Sequence, residues 1–204
     1  MRGLISLVTA SFILASCTFA VDLKPVSERP KDVSPLPLTV GVYYSSGFRN
    51  AKFARSHGSD LYNVPLGKVD PTFFDGVFPM IFEKVVPVQS PPPLSEDSPP
   101  VIAVIEPRVD AFDVDIPWIP FATLTADIYY RFTLYSKDGT PFASWKVKGH
   151  GETNQKLSDL TFSTVIGRAV EACMQDAATK FVTGFRDVPE IRQWLQRVEV
   201  NEGK

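Results

Sequence analysis

Between residues 122 and 134 apolar and polar side chains alternate with a period of two. Leu124, Ala126, Ile128, Tyr130, Phe132 and Leu134 share one side, while Thr123, Thr125, Asp127, Tyr129, Arg131 and Thr133 share the other. A pleated chain turns successive side chains to opposite faces, so this pattern predicts a strand with one buried face. Ser136-Lys137-Asp138-Gly139-Thr140 follows, and then Ala143, Trp145 and Val147 alternate with Ser144, Lys146 and Lys148. Gly139 suits a positive φ, so the two runs predict an antiparallel hairpin. Upstream, the unbroken apolar run of residues 101–105 reads as a strand buried on both faces. Its continuation sends Glu106, Arg108 and Asp110 outward, but Asp113 and Asp115 fall in the same class with the opposite parity. That change predicts a β-bulge near Ala111-Phe112.

Elsewhere the period is helical. Asp70-Pro71 opens one helix, Asp as N-cap and Pro in the first turn. Phe74, Val77, Phe78, Ile81 and Val85 follow on one stripe, widened by Phe73 and Met80, until Pro87 ends it. The longest helix is predicted over residues 161–185, with Ile166, Ala169, Val170, Cys173, Ala177, Phe181 and Phe185 on its buried side. Asp187 and Glu190 stand at capping-box spacing before a short helix that carries Ile191, Trp194, Leu195 and Val198. Strands are expected at residues 38–44 and, more briefly, at 61–66. The order β-α-β-β-β-α with a short C-terminal helix predicts an α+β two-layer sandwich with a mostly antiparallel sheet, occupying residues 38–204 as one domain.

The N-terminus has a different organisation. Arg2 is the only charge before Asp22, and residues 3–15 are apolar or small. This run is shorter than the roughly 20 apolar residues a membrane-spanning helix needs. Leu14-Ala15-Ser16-Cys17 resembles the bacterial lipobox, in which two small residues admit the backbone to a peptidase and the Cys thiol accepts diacylglycerol. The resemblance implies a signal peptide over residues 1–16 and a mature chain lipidated (diacylglycerol, then palmitate) at Cys17. It also implies the periplasmic face of the outer membrane, because Thr18 stands where Asp would favour inner-membrane retention. Residues 17–37 hold Pro25, Pro30, Pro35 and Pro37 among charges, and read as a tether able to reach roughly 60 Å if extended.

Composition narrows the function classes. The chain has 204 residues, a formal net charge of -2 and charged residues at 22%, so no field of one sign invites nucleic acid. Removing Cys17 leaves Cys173 alone, which excludes a disulfide inside the domain. Two histidines without helix-spaced partners exclude the familiar zinc spacings, and no cofactor fingerprint occurs. Asp110, Asp113 and Asp115 lack the spacing, Gly and distal Glu of a calcium loop, so no metal is expected. Gly149-His150-Gly151-Glu152 reads as glycines flanking a strand end. No catalytic motif emerges, and a non-enzyme is expected.

Candidate binding residues remain. Arg49, Lys52, Arg55 and His57 form a basic segment without an acid until Asp60, read as a solvated loop or as a contact for an acidic group. Trp118-Ile119-Pro120-Phe121 is an apolar run that either meets a partner or turns under the domain. The element order is similar to that of LptE-like lipopolysaccharide-assembly lipoproteins, auxiliary lipoproteins of ABC-type lipid transport, and TolB N-terminal-like lipoproteins. That resemblance implies an accessory, partner-binding protein of envelope assembly or transport. A lipid or glycolipid carrier is the alternative, with Phe73, Phe74, Phe78 and Tyr130 lining a cavity between the first helix and the sheet, and Arg49, Lys52 and Arg55 meeting a head group. A hydrolase comes third.

Overall fold

The computed structural model describes residues 17–25, 28–31, 33–119, 121–159 and 161–202. The expected signal segment, residues 1–16, lies outside them. Strand β1 is Thr18–Ala20 and β2 Leu36–Val42; helix α1 is Ser46–Arg49; β3 is Phe53–His57 and β4 Asp60–Val64. Helix α2 spans Leu66–Val77, followed by β5 (Phe82–Pro87), β6 (Ala103–Asp115), β7 (Thr123–Tyr135) and β8 (Pro141–Asn154). Helices α3 (Phe162–Gly184) and α4 (Pro189–Glu202) follow.

The fold is α+β, with two mixed sheets. The larger has the order β5-β2-β6-β7-β8, and the smaller β1-β4-β3. Strand β2 runs parallel to both β5 and β6, whereas β6-β7-β8 is an antiparallel meander. The predicted hairpin is β7-β8, with all six apolar positions of β7 buried and Gly139 at φ 89°. The bulge in β6 lies between Val109 and Ala111, one residue earlier than its parity change indicated. Glu106, expected to face solvent, is instead buried at 3% exposure and receives hydrogen bonds from Arg108 and the Tyr135 hydroxyl.

The predicted first helix is corrected at both ends. It starts at Leu66 and contains Pro71, so Asp70 is an interior residue and not its N-cap. It stops because Pro79 sits in a 3-10 turn over Phe78–Met80, after which the chain extends as β5. Pro87 lacks an N–H and is tolerated at the end of this edge strand. The expected tether is also corrected. Strand β1 pairs in parallel with β4, Val21 and Leu23 are buried, and the Lys24 N–H reaches Glu171 at 2.6 Å. Further along, Glu28 N–H meets Gln175 and Arg186 meets the Ser34 carbonyl. Apolar side chains at 21, 23, 36 and 38 outweigh the prolines, because each finds a place in the core.

The core lies between the helices and the larger sheet. Phe74 packs on Phe78 at 5.4 Å and edge-on to Tyr130 and Phe132 at 5.0 and 5.5 Å, and Phe132 meets Phe181 at 4.2 Å. Gly149 and Gly151 belong to the interior of β8, not to a turn at its end. They face α3 so closely that a Cβ on Gly151 would collide with the Ala169 carbonyl, and one on Gly149 with that of Cys173. Asp70 is fully buried in this core. Its Oδ1 accepts the Tyr130 hydroxyl at 2.8 Å, while Oδ2 has no partner. Burial pushes the carboxyl up to about 8, with the Tyr130 hydrogen bond opposing that rise.

Two outcomes are expected. Gly151→Ala should lose about 1–3 kcal/mol in urea unfolding through forced repacking, whereas Gly47→Ala, with nothing within 4 Å of the added carbon, should not. Folded Asp70 keeps its proton up to about pH 8, but the unfolded carboxyl releases it near about pH 4. Between those values the folded chain binds more protons, so stability falls as pH rises, by at most about 1.4 kcal/mol per unit. Asp70→Asn, which keeps an acceptor for Tyr130, should flatten that slope in unfolding midpoints taken across the window.

Candidate functional site

The loop between β6 and β7 lies at the end of the sheet where α3 begins. Ile116 anchors its root at 5% exposure, beyond which Trp118 is 76% exposed, Ile119 73% and Phe121 57%. Phe121 has φ 62°, a left-handed conformation that a bulky aromatic residue rarely adopts. At the same end of the sheet β8 finishes, because Asn154 pairs with Thr123 at the start of β7. The loop after β8 presents Leu157, 93% exposed. That loop is fixed by Arg168, which grips both carboxylate oxygens of Asp159 at 2.7 Å and the Asn154 carbonyl at 3.2 Å. The guanidinium holds the Asp159 carboxyl well below the usual carboxylate range.

The smaller sheet reaches the same end. His57 stacks on Trp118 with ring centres 4.1 Å apart, and the Phe162 ring lies 5.6 Å from it. His57 pairs with Asp60 across the β3-β4 hairpin, whose turn holds Gly58 at φ 61°. Next to Asp60, the Leu61 N–H donates to the Cys17 carbonyl at 3.0 Å. The Cys17 side chain is exposed. One end of the molecule therefore gathers Cys17, the His57-Trp118 stack, Ile119, Phe121 and Leu157.

The other sequence candidates do not join this site as a group. Arg49 donates to the Tyr44 carbonyl at 3.1 Å and lies over the Tyr44 ring. Arg55 pairs with Asp113 at 3.3 Å, and Lys52 is exposed between them. Each arginine is turned to its own local acceptor, so the basic segment forms no common anion cradle. Phe73 and Phe78 are core residues at 4% and 0% exposure. Together with Phe74 and Tyr130 they fill the space in which a carrier would hold its ligand. Of the three aspartates considered for calcium, Asp110 is held by Arg131 and Lys146, and Asp113 by Arg55.

His150 and Cys173 are similarly occupied. His150 Nδ1 lies 2.7 Å from Asp127 and Nε2 2.9 Å from Glu152. Glu152 and then Asp127 raise its proton affinity above the ordinary histidine range. With both nitrogens facing carboxylates, neither is directed at a hydroxyl or thiol nucleophile. Cys173 is buried beneath the sheet, and desolvation pushes its thiol up to about 12. Leu157 and the His57-Trp118 stack escaped the sequence reading, since only strand pairing brings residues so far apart together. Asp70 carried a signal, an acid inside an apolar stripe, but the following proline favoured a capping role.

Among the described residues no helix is long and apolar enough to cross a membrane, and no cluster of His, Cys, Asp and Glu could hold a metal. No family model matches the chain, and no curated protein matches it in sequence. Solved structures do resemble it. A Xanthomonas campestris protein of family DUF330 superposes with a TM-score of 0.53 at 11% identity, over 88% of this chain and 98% of that one. A minor lipoprotein from Acinetobacter baumannii gives 0.43 at 8% identity, over 74% and 92%. The second score is too low to carry an argument; the first establishes a shared fold across nearly the whole domain, and at 11% identity nothing beyond it.

Proposed function

We propose that this chain is a lipid-anchored protein of the bacterial envelope, attached through Cys17 to the periplasmic face of the outer membrane. There it acts without catalysis, as an accessory or partner-binding component of envelope assembly or transport. The observation that carries this reading is Leu14-Ala15-Ser16-Cys17 placed directly before a domain that leaves the Cys17 side chain open to acylation. Thr18 supports the outer membrane, as it lacks the acid associated with inner-membrane retention. The occupied nitrogens of His150 and the sealed Cys173 support a non-catalytic role. The filled core around Phe74 weighs against a carrier.

Growth of a diderm host with labelled palmitate tests the anchor. Label should enter the wild-type chain and be absent from Cys17→Ser, which should leave the membrane fraction. Thr18→Asp should shift the protein toward inner-membrane density in a gradient. Cross-linking in native membranes followed by capture tests the accessory role: a reproducible envelope partner supports it, and none in correctly localised protein refutes it.

A further inference from the structure

The exposed apolar tip has a single direction. Among the described residues the large hydrophobic side chains left exposed are Trp118, Ile119, Phe121 and Leu157. All four stand at the end of the sheet where β6, β7 and β8 meet the β3-β4 hairpin. Their exposure is built, not incidental. Ile116 roots the first loop in the core, Arg168 clamps the second, and Phe121 is held in an unfavourable left-handed conformation. A strained residue that persists in a well-packed domain is a pointer to function.

Cys17 lies in the same row. Because Thr18 pairs with Leu61, Cys17 falls opposite Asp60, which pairs with His57, which stacks on Trp118. Two strand spacings of about 4.8 Å and one ring stack place the Cys17 backbone on the order of 10–15 Å from the indole. The segment after Cys17 has no slack, since β1 is paired and Val21 and Leu23 are buried. An acyl chain on Cys17 would therefore bring the tip to the bilayer, not leave it at the end of a long leash.

We infer that this tip is a second membrane contact: Trp118, Ile119 and Phe121, flanked by Leu157, enter the interfacial zone of the leaflet that holds the Cys17 lipid. The inference rests on the anchor proposed above. Tryptophan suits that zone, with an apolar ring and an N–H for the headgroups. Once the anchor is inserted, the tip is already at the surface, and its entry costs little further translational freedom. Two contacts at different points would fix the orientation of the domain, presenting the opposite end, with α4 and the β7-β8 turn, to the periplasm.

The test uses the full chain, purified in mild detergent with the lipid on Cys17 verified by mass, and placed in phosphatidylethanolamine–phosphatidylglycerol vesicles. Bromine atoms on the acyl chains quench tryptophan by contact, and the difference between wild type and Trp118→Phe isolates the tip from Trp145 and Trp194. Roughly twofold or greater quenching of that component, with slower hydrogen exchange over residues 116–122, is expected of an interfacial tryptophan. The double variant Trp118→Ser, Phe121→Ser should keep its unfolding midpoint and lose the slowed exchange. An unquenched Trp118 in a correctly lipidated chain overturns the inference and leaves the anchor standing. Missing lipid on Cys17 overturns the anchor first and the inference with it. Protection of the tip by self-association before vesicles are added also overturns it, assigning the surface to a second copy.

Discussion

Helix α3 lies on β8 at a separation that only hydrogen side chains permit. At Gly149 and Gly151 the strand backbone meets the carbonyls of Cys173 and Ala169, leaving no room for a methyl group. This approach lets Phe181 reach Phe132 at 4.2 Å and so joins the helix to the aromatic cluster that includes Phe74, Phe78 and Tyr130. The same helix then serves as the floor for the N-terminal segment, with the Asp22 carbonyl resting near Gly167 and Lys24 bonded to Glu171. Much of the remaining structure depends on that one contact distance.

Aromatic side chains fill the core around Phe74. Asp70 and Cys173 are sealed in the core, and His150 has both ring nitrogens against carboxylates. Among the described residues the large exposed hydrophobic side chains gather at one end. Its members come from four separate stretches of chain, brought together because the two sheets and α3 all terminate there. On the reading proposed above, the protein works through contacts made at this end.

The legible parts of the sequence were those in which one face is buried and the other wet. Strand β7 alternates cleanly because β6 and β8 flank it and only one side meets helices, so its period reports its environment directly. The end of α2 is hidden in the sequence for the converse reason. Phe82, Val85 and Val86 continue an apolar stretch whose spacing suits a helix, and only the parallel pairing with β2 decides that they extend. The prolines of residues 25–37 argued for a free tether, whereas the few apolar residues among them decide the outcome by docking. The alternation of Glu106 with Arg108 and Asp110 points it outward; it is buried all the same, beneath partners from β7 and its own strand.

By itself the sequence determined the α+β class, the β7-β8 hairpin, the bulge in β6, the two C-terminal helices and the lipobox-like stretch at Cys17, since all of these are local patterns of period, turn chemistry or spacing. Tertiary structure alone decided the parallel edge of the large sheet, the docking of residues 18–24, the burial of Asp70 and the assembly of Cys17, His57, Trp118, Phe121 and Leu157 at one end. Each of these depends on which distant strands pair, and pairing is set by the fit of whole faces, a property that no single stretch of chain contains.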